Sequence, residues 1–121
     1  LDPLNFNQFV NHLGTSSVLL DPIYFGSGNS FHESMFYGTQ TVTCPSKYIK
    51  SRIVSAAYIQ MEVKKPPIVK NKDDYVNKAI EIANDENILD EKKYYQQAAN
   101  EKLFNTKDVG EKFNSILKKL F

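Results

Sequence analysis

The chain has 121 residues, with 15 basic and 14 acidic side chains and a net charge of +1. This length allows one domain, residues 1–121, with a sizeable core. The nearly balanced charge creates no large field, so we expect no nucleic-acid partner. Lone Cys44 excludes an internal disulfide and fits a reducing compartment. The sequence shows no signal peptide and no apolar run of about 18 residues, so we expect a cytoplasmic protein without a membrane partner.

A helix and a strand are predicted first. Apolar residues from Leu4 to Leu13 have roughly helical spacing, and Gly14 is suited to the C-cap of that helix. The apolar run that starts at Val18 then predicts a strand, which ends at Asp21.

A glycine-rich loop and a short helix follow this strand. The loop is Gly26-Ser27-Gly28, and Ser30 followed by Glu33 is a capping-box pattern that places the helix start at Asn29 or Ser30. We expect the helix to extend to Tyr37. Unpaired N–H groups and the positive end of the helix dipole make such a start suitable for a phosphate or diphosphate.

Five residues are therefore candidates for ligand contacts: Ser27, Gly28, Asn29, Ser30 and Glu33. Glycines let the backbone approach a ligand closely, and an acidic residue one turn into the helix can accept hydrogen bonds from ribose hydroxyls. The alternative is structural, with Glu33 closing the capping box and the loop forming an ordinary tight turn. The residues alone leave both interpretations open.

Two further strands and a longer helix are predicted next. The run from Thr41 to Thr43 favours a strand, and Ile68-Val69 can form another. Between them, residues 46–62 predict a single helix, with Ser46 as its N-cap and Arg52 inside it. Strands that alternate with helices and are joined by short loops imply a parallel, Rossmann-like α/β sheet.

Three helices are predicted in the C-terminal half. Asn71 is suited to cap the first, whose inner stripe is predicted to be Val76, Ala79, Ile80 and Ala83. The second spans about residues 88–102. Thr106 opens the last helix, and its apolar stripe is Val109, Phe113, Ile116, Leu117 and Leu120. A basic amphipathic helix of this kind suits either a membrane surface or the face of another domain.

The order and spacing of several segments resemble one protein family. The segments are residues 19–22, 25–33, 38–43 and 51–52, followed by 74–76, 83–85 and 103–104. Together they are similar to the C-terminal part of the O-linked N-acetylglucosamine transferases, and most of all to the bacterial, Spindly-like members that carry tetratricopeptide repeats at their N-terminal end. The similarity covers about residues 12–120.

This resemblance implies a function and a set of partners. It implies the C-terminal half of a B-type glycosyltransferase domain, in which a Rossmann-like sheet with flanking helices binds a uridine diphosphate sugar. The reaction would transfer N-acetylglucosamine or a related sugar to a Ser or Thr hydroxyl of a protein acceptor. Because the chain starts at Leu1, we expect an N-terminal glycosyltransferase domain and repeats to precede it, and we expect this piece alone to be inactive. The alternative is a non-catalytic Rossmann-like interaction module.

The resemblance also bears on individual residues. Animal members have His-Thr-Thr where this chain has Gly28-Asn29-Ser30, and Asp in place of Glu33. A hydroxyl and a carboxylate therefore remain, while the histidine that contacts the diphosphate is absent. Arg52 would help to position groups near the cleft, or it is simply solvated. The family's lysine near the diphosphate lies upstream of this chain, so no catalytic residue is assigned. No cofactor and no metal are expected, since His12 and His32 are too few for a zinc site.

Overall fold

Two short parallel strands form the sheet of the computed structural model, which describes residues 2–121. β1 (Leu19–Leu20) pairs with β2 (Thr41–Val42), with Leu19 opposite Thr41 and Leu20 opposite Val42. A parallel bridge between Thr43 and Ile68 adds a third segment. The predicted parallel pairing is confirmed. The chain is a mixed α/β protein, most of it helical, with a small parallel sheet.

Helices make up most of the described chain. They are α1 (Phe6–Thr15), α2 (Asn29–Met35), a 3₁₀ turn (Ile49–Ser51), α3 (Ile53–Met61), α4 (Lys72–Ala83), α5 (Ile88–Ala98), a π-helical turn that continues α5 (Ala99–Leu103), and α6 (Lys107–Leu120). The predicted cap of α4 is confirmed, because the side-chain oxygen of Asn71 accepts a hydrogen bond from the N–H of Asp74 at 2.8 Å.

The C-terminal end of α1 differs from its prediction. Gly14 is not the C-cap, since the helix continues through Thr15 and ends at Ser16. Lys92 of α5 accounts for the difference: its Nζ donates hydrogen bonds to the main-chain oxygens of Gly14 and Ser16, each at 2.7 Å. A cation thereby satisfies the terminal carbonyls without a glycine in the left-handed conformation. Burial lowers the pKa of the Lys92 ammonium.

The start of α2 is where the sequence places it, but the predicted capping box is absent. α2 begins at Asn29, Gly28 occupies the N-cap position, and no side chain caps the first turn. Ser30 therefore lies inside the helix, two residues beyond the N-cap position from which its hydroxyl could cap. The capping-box interpretation of Glu33 is wrong.

Residues 46–62 form two elements instead of the single helix predicted. Ser46 is not a helix N-cap, because its N–H donates to the hydroxyl oxygen of Ser51 at 3.0 Å and the two hydroxyls lie 2.6 Å apart. This local pairing holds the 3₁₀ turn separate from α3, as side-chain bonds of serine to nearby backbone groups often do. Arg52 is consequently the exposed N-cap residue of α3 and does not lie inside the helix.

One apolar core joins α2, α3 and α5. The rings of Phe31, Tyr58 and Tyr95 meet edge to face, with centroids 5.3 Å apart for the first pair and 5.8 Å for the second. Each such aromatic pair stabilises the fold by about 0.5–1.5 kcal/mol, in addition to the effect of burying the apolar surface of the rings. The Tyr58 hydroxyl also accepts the N–H of Thr41 at 2.7 Å and donates to the Thr41 carbonyl at 3.0 Å. Tyr58 thus gives β2 the hydrogen bonds that a neighbouring strand would otherwise supply.

The inner face of α4 was predicted wrongly. Val76 and Ile80 are 54% and 55% exposed, whereas Ile82 is buried. The hydroxyl of Tyr75 donates to the main-chain oxygen of Asp21 at 2.8 Å, and this bond sets which face of α4 points inward. Helical periodicity alone predicts a different inner face for α4, because it takes no account of a hydrogen bond to another element.

The last helix begins after Thr106 as predicted. Its apolar stripe is exposed along its whole length, from Val109 to Leu120, and no residue of α6 is buried. The stripe therefore contributes little to the core of the described chain.

Gly38 is required at the end of α2, where its φ is +69°. A Cβ at this position would collide with the main-chain carbonyl of Lys92 in α5. We expect Gly38→Ala to lower the free energy of unfolding by at least about 2 kcal/mol, through backbone strain and overpacking. Gly110→Ala is the matched control, because a Cβ there meets nothing within 4 Å and alanine stabilises a helix interior by about 0.5–1 kcal/mol. Urea unfolding of both variants measures the difference, and equal effects would contradict this account.

Burial raises the pKa of Tyr58, and it likewise raises that of Tyr95. Above about pH 10 an unfolded tyrosine releases its proton while the folded one retains it, so the unfolded state binds fewer protons and stability falls as pH rises. Above pH 10, we expect the free energy of unfolding of Tyr58→Phe to fall less steeply with pH than that of the wild type. At pH 8, we expect the same variant to be less stable by about 1–3 kcal/mol, because the main-chain groups of Thr41 lose their hydrogen-bond partner. Urea unfolding across this pH range tests both effects. Tyr24→Phe is the control at an exposed position, and it should change neither the stability at pH 8 nor its decrease at higher pH.

Candidate functional site

The predicted ligand residues lie where the parallel strands end. Asp21 directly follows β1, Thr43 directly follows β2, and the glycine loop passes beside both. Open α/β sheets bind ligands in the crevice outside the carboxyl ends of their strands. We call this set of residues, Asp21, Ser27 to Glu33 and Thr43, the carboxyl-edge site.

Asp21 holds the carboxyl-edge site together. Its side chain is buried, with 2% exposed. One carboxylate oxygen accepts the N–H of Ser27 at 2.6 Å, and the other accepts the hydroxyl of Thr43 at 2.6 Å. Hydrogen bonds to a carboxylate are shorter and stronger than neutral ones. The loop is therefore fixed to β2 through one side chain.

Gly26 completes this arrangement from the other side of the loop. Its N–H donates to the main-chain oxygen of Lys50 at 2.8 Å. A Cβ on Gly26 would lie 3.2 Å from that oxygen and 3.3 Å from a carboxylate oxygen of Asp21. A side chain at Gly26 would crowd this close approach, and the loop is held by main-chain hydrogen bonds at Gly26 and Ser27.

The five predicted residues are brought together on one loop and the first turns of one helix. Ser27 uses its N–H to bind Asp21, so that amide is not presented to a ligand. The N–H groups of Gly28, Asn29 and Ser30 lie in the N-terminal turn of α2, where a helix supplies no acceptor of its own. Glu33 is half-buried on the same helix.

His32 lies in α2 directly before Glu33. It is half-buried, and its Nδ1 lies 2.9 Å from the main-chain oxygen of Gly28. Its ring meets the edge of Phe31 at a centroid distance of 5.6 Å. His32 therefore supports the N-terminal turn of α2 from within the helix.

Sequence reasoning did not select three residues that shape the site: Asp21, Thr43 and Tyr75. An acidic residue directly after a predicted strand was the available signal for Asp21. Thr43 and Tyr75 carry no comparable signal, because they are separated from Asp21 by 22 and 54 positions in the sequence. Burial, followed by the charge of Asp21, raises the pKa of the Tyr75 hydroxyl.

A cavity of about 630 Å³ lies at the opposite edge of the sheet. Gln40 and Pro67 line it, and these residues immediately precede β2 and Ile68. None of the five predicted ligand residues lines this cavity. The carboxyl-edge site is therefore separate from this cavity, which is partly open to solvent.

Two further features of the described residues concern membranes and metal ions. Within residues 2–121 no helix combines the length and the apolar character needed to cross a bilayer. Over the same residues, His, Cys, Asp and Glu side chains form no group of three or more that could hold a metal ion.

Comparison with known proteins assigns no family. No protein-family model matches the chain, and no curated protein matches it. The similarity to O-linked N-acetylglucosamine transferases stays a prediction from the sequence.

We expect Asp21→Asn to release the loop, because the amide nitrogen of asparagine cannot accept a hydrogen bond and one of the two donors loses its partner. The free energy of unfolding should fall by about 1.5–3 kcal/mol, the range for hydrogen bonds to charged groups. Thr43→Val should cost about 1–3 kcal/mol, since it leaves one carboxylate oxygen unpaired. Chemical denaturation measures both.

Asp90→Asn is the control for these variants, because its carboxylate is 79% exposed and makes a surface ion pair with Lys93. It should change stability by no more than about 0.5 kcal/mol. An Asp21→Asn protein as stable as Asp90→Asn would show that Asp21 does not hold the loop.

Proposed function

We propose that this chain is the donor-binding part of a glycosyltransferase, and that it binds a uridine diphosphate sugar at the carboxyl-edge site. The whole enzyme would transfer N-acetylglucosamine or a related sugar to Ser or Thr of a protein acceptor. The fold would be the C-terminal half of a Rossmann-like, B-type glycosyltransferase domain. The resemblance of the sequence to O-linked N-acetylglucosamine transferases supplies this hypothesis.

The observation that carries the proposal is the pair of hydrogen bonds made by Asp21. They fix a glycine-containing loop at the carboxyl ends of two parallel strands. This is the position at which open α/β sheets bind nucleotides. A ligand that meets a rigid loop loses less free energy to ordering the protein than one that meets a mobile loop.

The diphosphate is assigned to the first turn of α2. The main-chain N–H groups of Gly28, Asn29 and Ser30 lie there, and Gly28 has no side chain to obstruct an anion. Oriented N–H groups stabilise the charge that develops on a departing diphosphate without a change in their own arrangement. Since α2 has only 7 residues, its dipole is a minor part of this argument.

The ribose is assigned to Glu33. Its half-buried carboxylate lies one turn beyond the loop, and the capping role that competed with ligand binding is absent. A carboxylate can accept hydrogen bonds from both ribose hydroxyls, as acidic residues do in dinucleotide-binding folds.

The exposed stripe of α6 suits the proposed partner domain. Within residues 2–121 no element covers the apolar side chains from Val109 to Leu120. The acceptor-side domain of a two-domain glycosyltransferase would offer an apolar face to cover them. A non-catalytic interaction module would use the same stripe, and only the donor-binding test separates the two functions.

Glu33→Gln in the full-length protein tests the ribose assignment. Because Glu33 caps nothing, we expect an unchanged melting temperature together with a tenfold or larger loss of uridine diphosphate affinity, equivalent to about 1.5–3 kcal/mol. Calorimetric titration measures the affinity. Unchanged affinity would remove Glu33 from the site.

Gly28→Val tests the diphosphate assignment in the same protein. A Cβ on Gly28 meets no atom within 4 Å, so the fold has room for a side chain that would occupy the space of the diphosphate. We expect weaker uridine diphosphate binding by calorimetry. Gly110→Val, on α6, is the control for adding a β-branched side chain at an open glycine, and it should leave binding unchanged. If Gly28→Val and Gly110→Val bound uridine diphosphate with equal affinity, the loop would not be part of the diphosphate site.

A further inference from the structure

Three exposed aromatic side chains lie beside the carboxyl-edge site. Tyr24 and Phe25 directly precede Gly26 and are 77% and 69% exposed, and Tyr48 is 57% exposed. We call Tyr24, Phe25 and Tyr48 the aromatic rim. Scattered exposed apolar residues are ordinary in soluble proteins, whereas several in one place often mark a binding surface. The aromatic rim is therefore a candidate for contact with a ligand.

Main-chain hydrogen bonds hold the aromatic rim in place. The N–H of Gly26 donates to the main-chain oxygen of Lys50 at 2.8 Å, which ties the loop to the segment that bears Tyr48. The N–H of Tyr48 donates to the hydroxyl oxygen of Ser46 at 3.2 Å. The main-chain oxygen of Tyr48 accepts the N–H of Ser51 at 3.1 Å and its hydroxyl at 2.9 Å. The main chain is thus ordered before a ligand binds, and binding has only side chains left to order.

The charges around the aromatic rim favour an anionic ligand. Residues 22–32 and 44–61 contain no Asp or Glu, although the whole chain has 14 acidic residues. The second of these segments carries Lys47, Lys50 and Arg52, and all three are exposed. Exposed cations without carboxylates in the same segments raise the local concentration of an anion such as a diphosphate.

The order of the groups in a sugar donor decides which of them meets the aromatic rim. In the proposed function, on which this assignment rests, Glu33 binds the ribose and the N–H groups from Gly28 to Ser30 bind the diphosphate. The diphosphate of a nucleotide sugar lies between the ribose and the sugar, so the sugar extends from Gly28 away from Glu33. Phe25 lies in that direction along the chain, three residues before Gly28, a span of at most about 11 Å. The sugar therefore reaches Phe25.

A pyranose ring has the chemistry that suits an exposed aromatic ring. Its axial C–H groups form a weakly polar face, and the face of an aromatic ring carries the partial negative charge that attracts such groups. The hydroxyl groups of the sugar point outward from its ring, where water can bind them. Stacking of this kind needs no deep pocket, which agrees with the exposure of Phe25.

We propose that the aromatic rim binds the sugar that is transferred, with the C–H face of the pyranose against the ring of Phe25. Tyr24 and Tyr48 flank this contact and limit the positions that the sugar can take. The anomeric carbon is then held between the diphosphate and the aromatic rim, and it keeps one orientation towards the acceptor.

Calorimetric titration of the full-length protein with two ligands, uridine diphosphate and uridine diphosphate N-acetylglucosamine, tests this proposal. Phe25→Leu removes the ring and keeps an apolar side chain. We expect its affinity for the sugar donor to fall about threefold to tenfold, while its affinity for uridine diphosphate and its melting temperature stay as in the wild type. Phe25→Tyr keeps the ring and should retain the affinity for the sugar donor.

Phe113→Leu is the control for the loss of an exposed aromatic ring, because Phe113 is 61% exposed and lies on α6. It should leave both affinities unchanged. An unchanged affinity of Phe25→Leu for the sugar donor would overturn the proposal. An equal loss for both ligands would also overturn it, since a ring that contacts the nucleobase gives that result. If the wild-type protein bound no uridine diphosphate, the proposed function itself would be wrong, and the sugar site with it.

Discussion

The carboxylate of Asp21 is the interaction on which the carboxyl edge of the structure depends. It accepts hydrogen bonds from the loop after β1 and from the residue after β2, and the main-chain oxygen of the same residue accepts the hydroxyl of Tyr75 from α4. One buried residue thus joins four segments of the chain. A buried carboxylate is costly unless its oxygens are paired, and here each oxygen has a donor.

The sheet is small, so side chains complete what strands would otherwise supply. β1 and β2 have two residues each. Tyr58 provides hydrogen bonds to Thr41 on the side away from β1, and its ring belongs to the core between α2, α3 and α5. Tyr58 therefore couples the packing of the helices to the pairing of the strands. A sheet this short is stabilised mainly by the helices that pack around it.

The two ends of the strands have different chemistry. At the carboxyl edge, a rigid loop presents main-chain N–H groups and suits an anion. At the amino edge, charged side chains of both signs and several apolar residues line a cavity. Parallel strands produce this separation, because every strand begins at one edge and ends at the other, so the loops of the two edges come from different parts of the sequence.

Local signals in the sequence determined the order of the elements, the start of α2 at Asn29, the cap of α4 at Asn71 and the parallel strands. Caps and β-prone runs depend on neighbouring residues, so a linear pattern contains them. The tertiary structure alone decided the end of α1 and the inner face of α4, whereas the break before α3 comes from the local pairing of Ser46 with Ser51, which helical periodicity does not show. Lys92, Ser51 and Tyr75 set these features through hydrogen bonds, two of them to distant segments.

The same division holds for the carboxyl-edge site and for the cavity at the amino edge. The sequence located the glycine loop, because glycines and a following helix are adjacent in the chain, but it could not show that Asp21 and Thr43 hold that loop in place. It gave no sign of the amino-edge cavity. Gln40, Glu91 and Tyr95 line this cavity, which exists only where folding brings distant parts of the chain together.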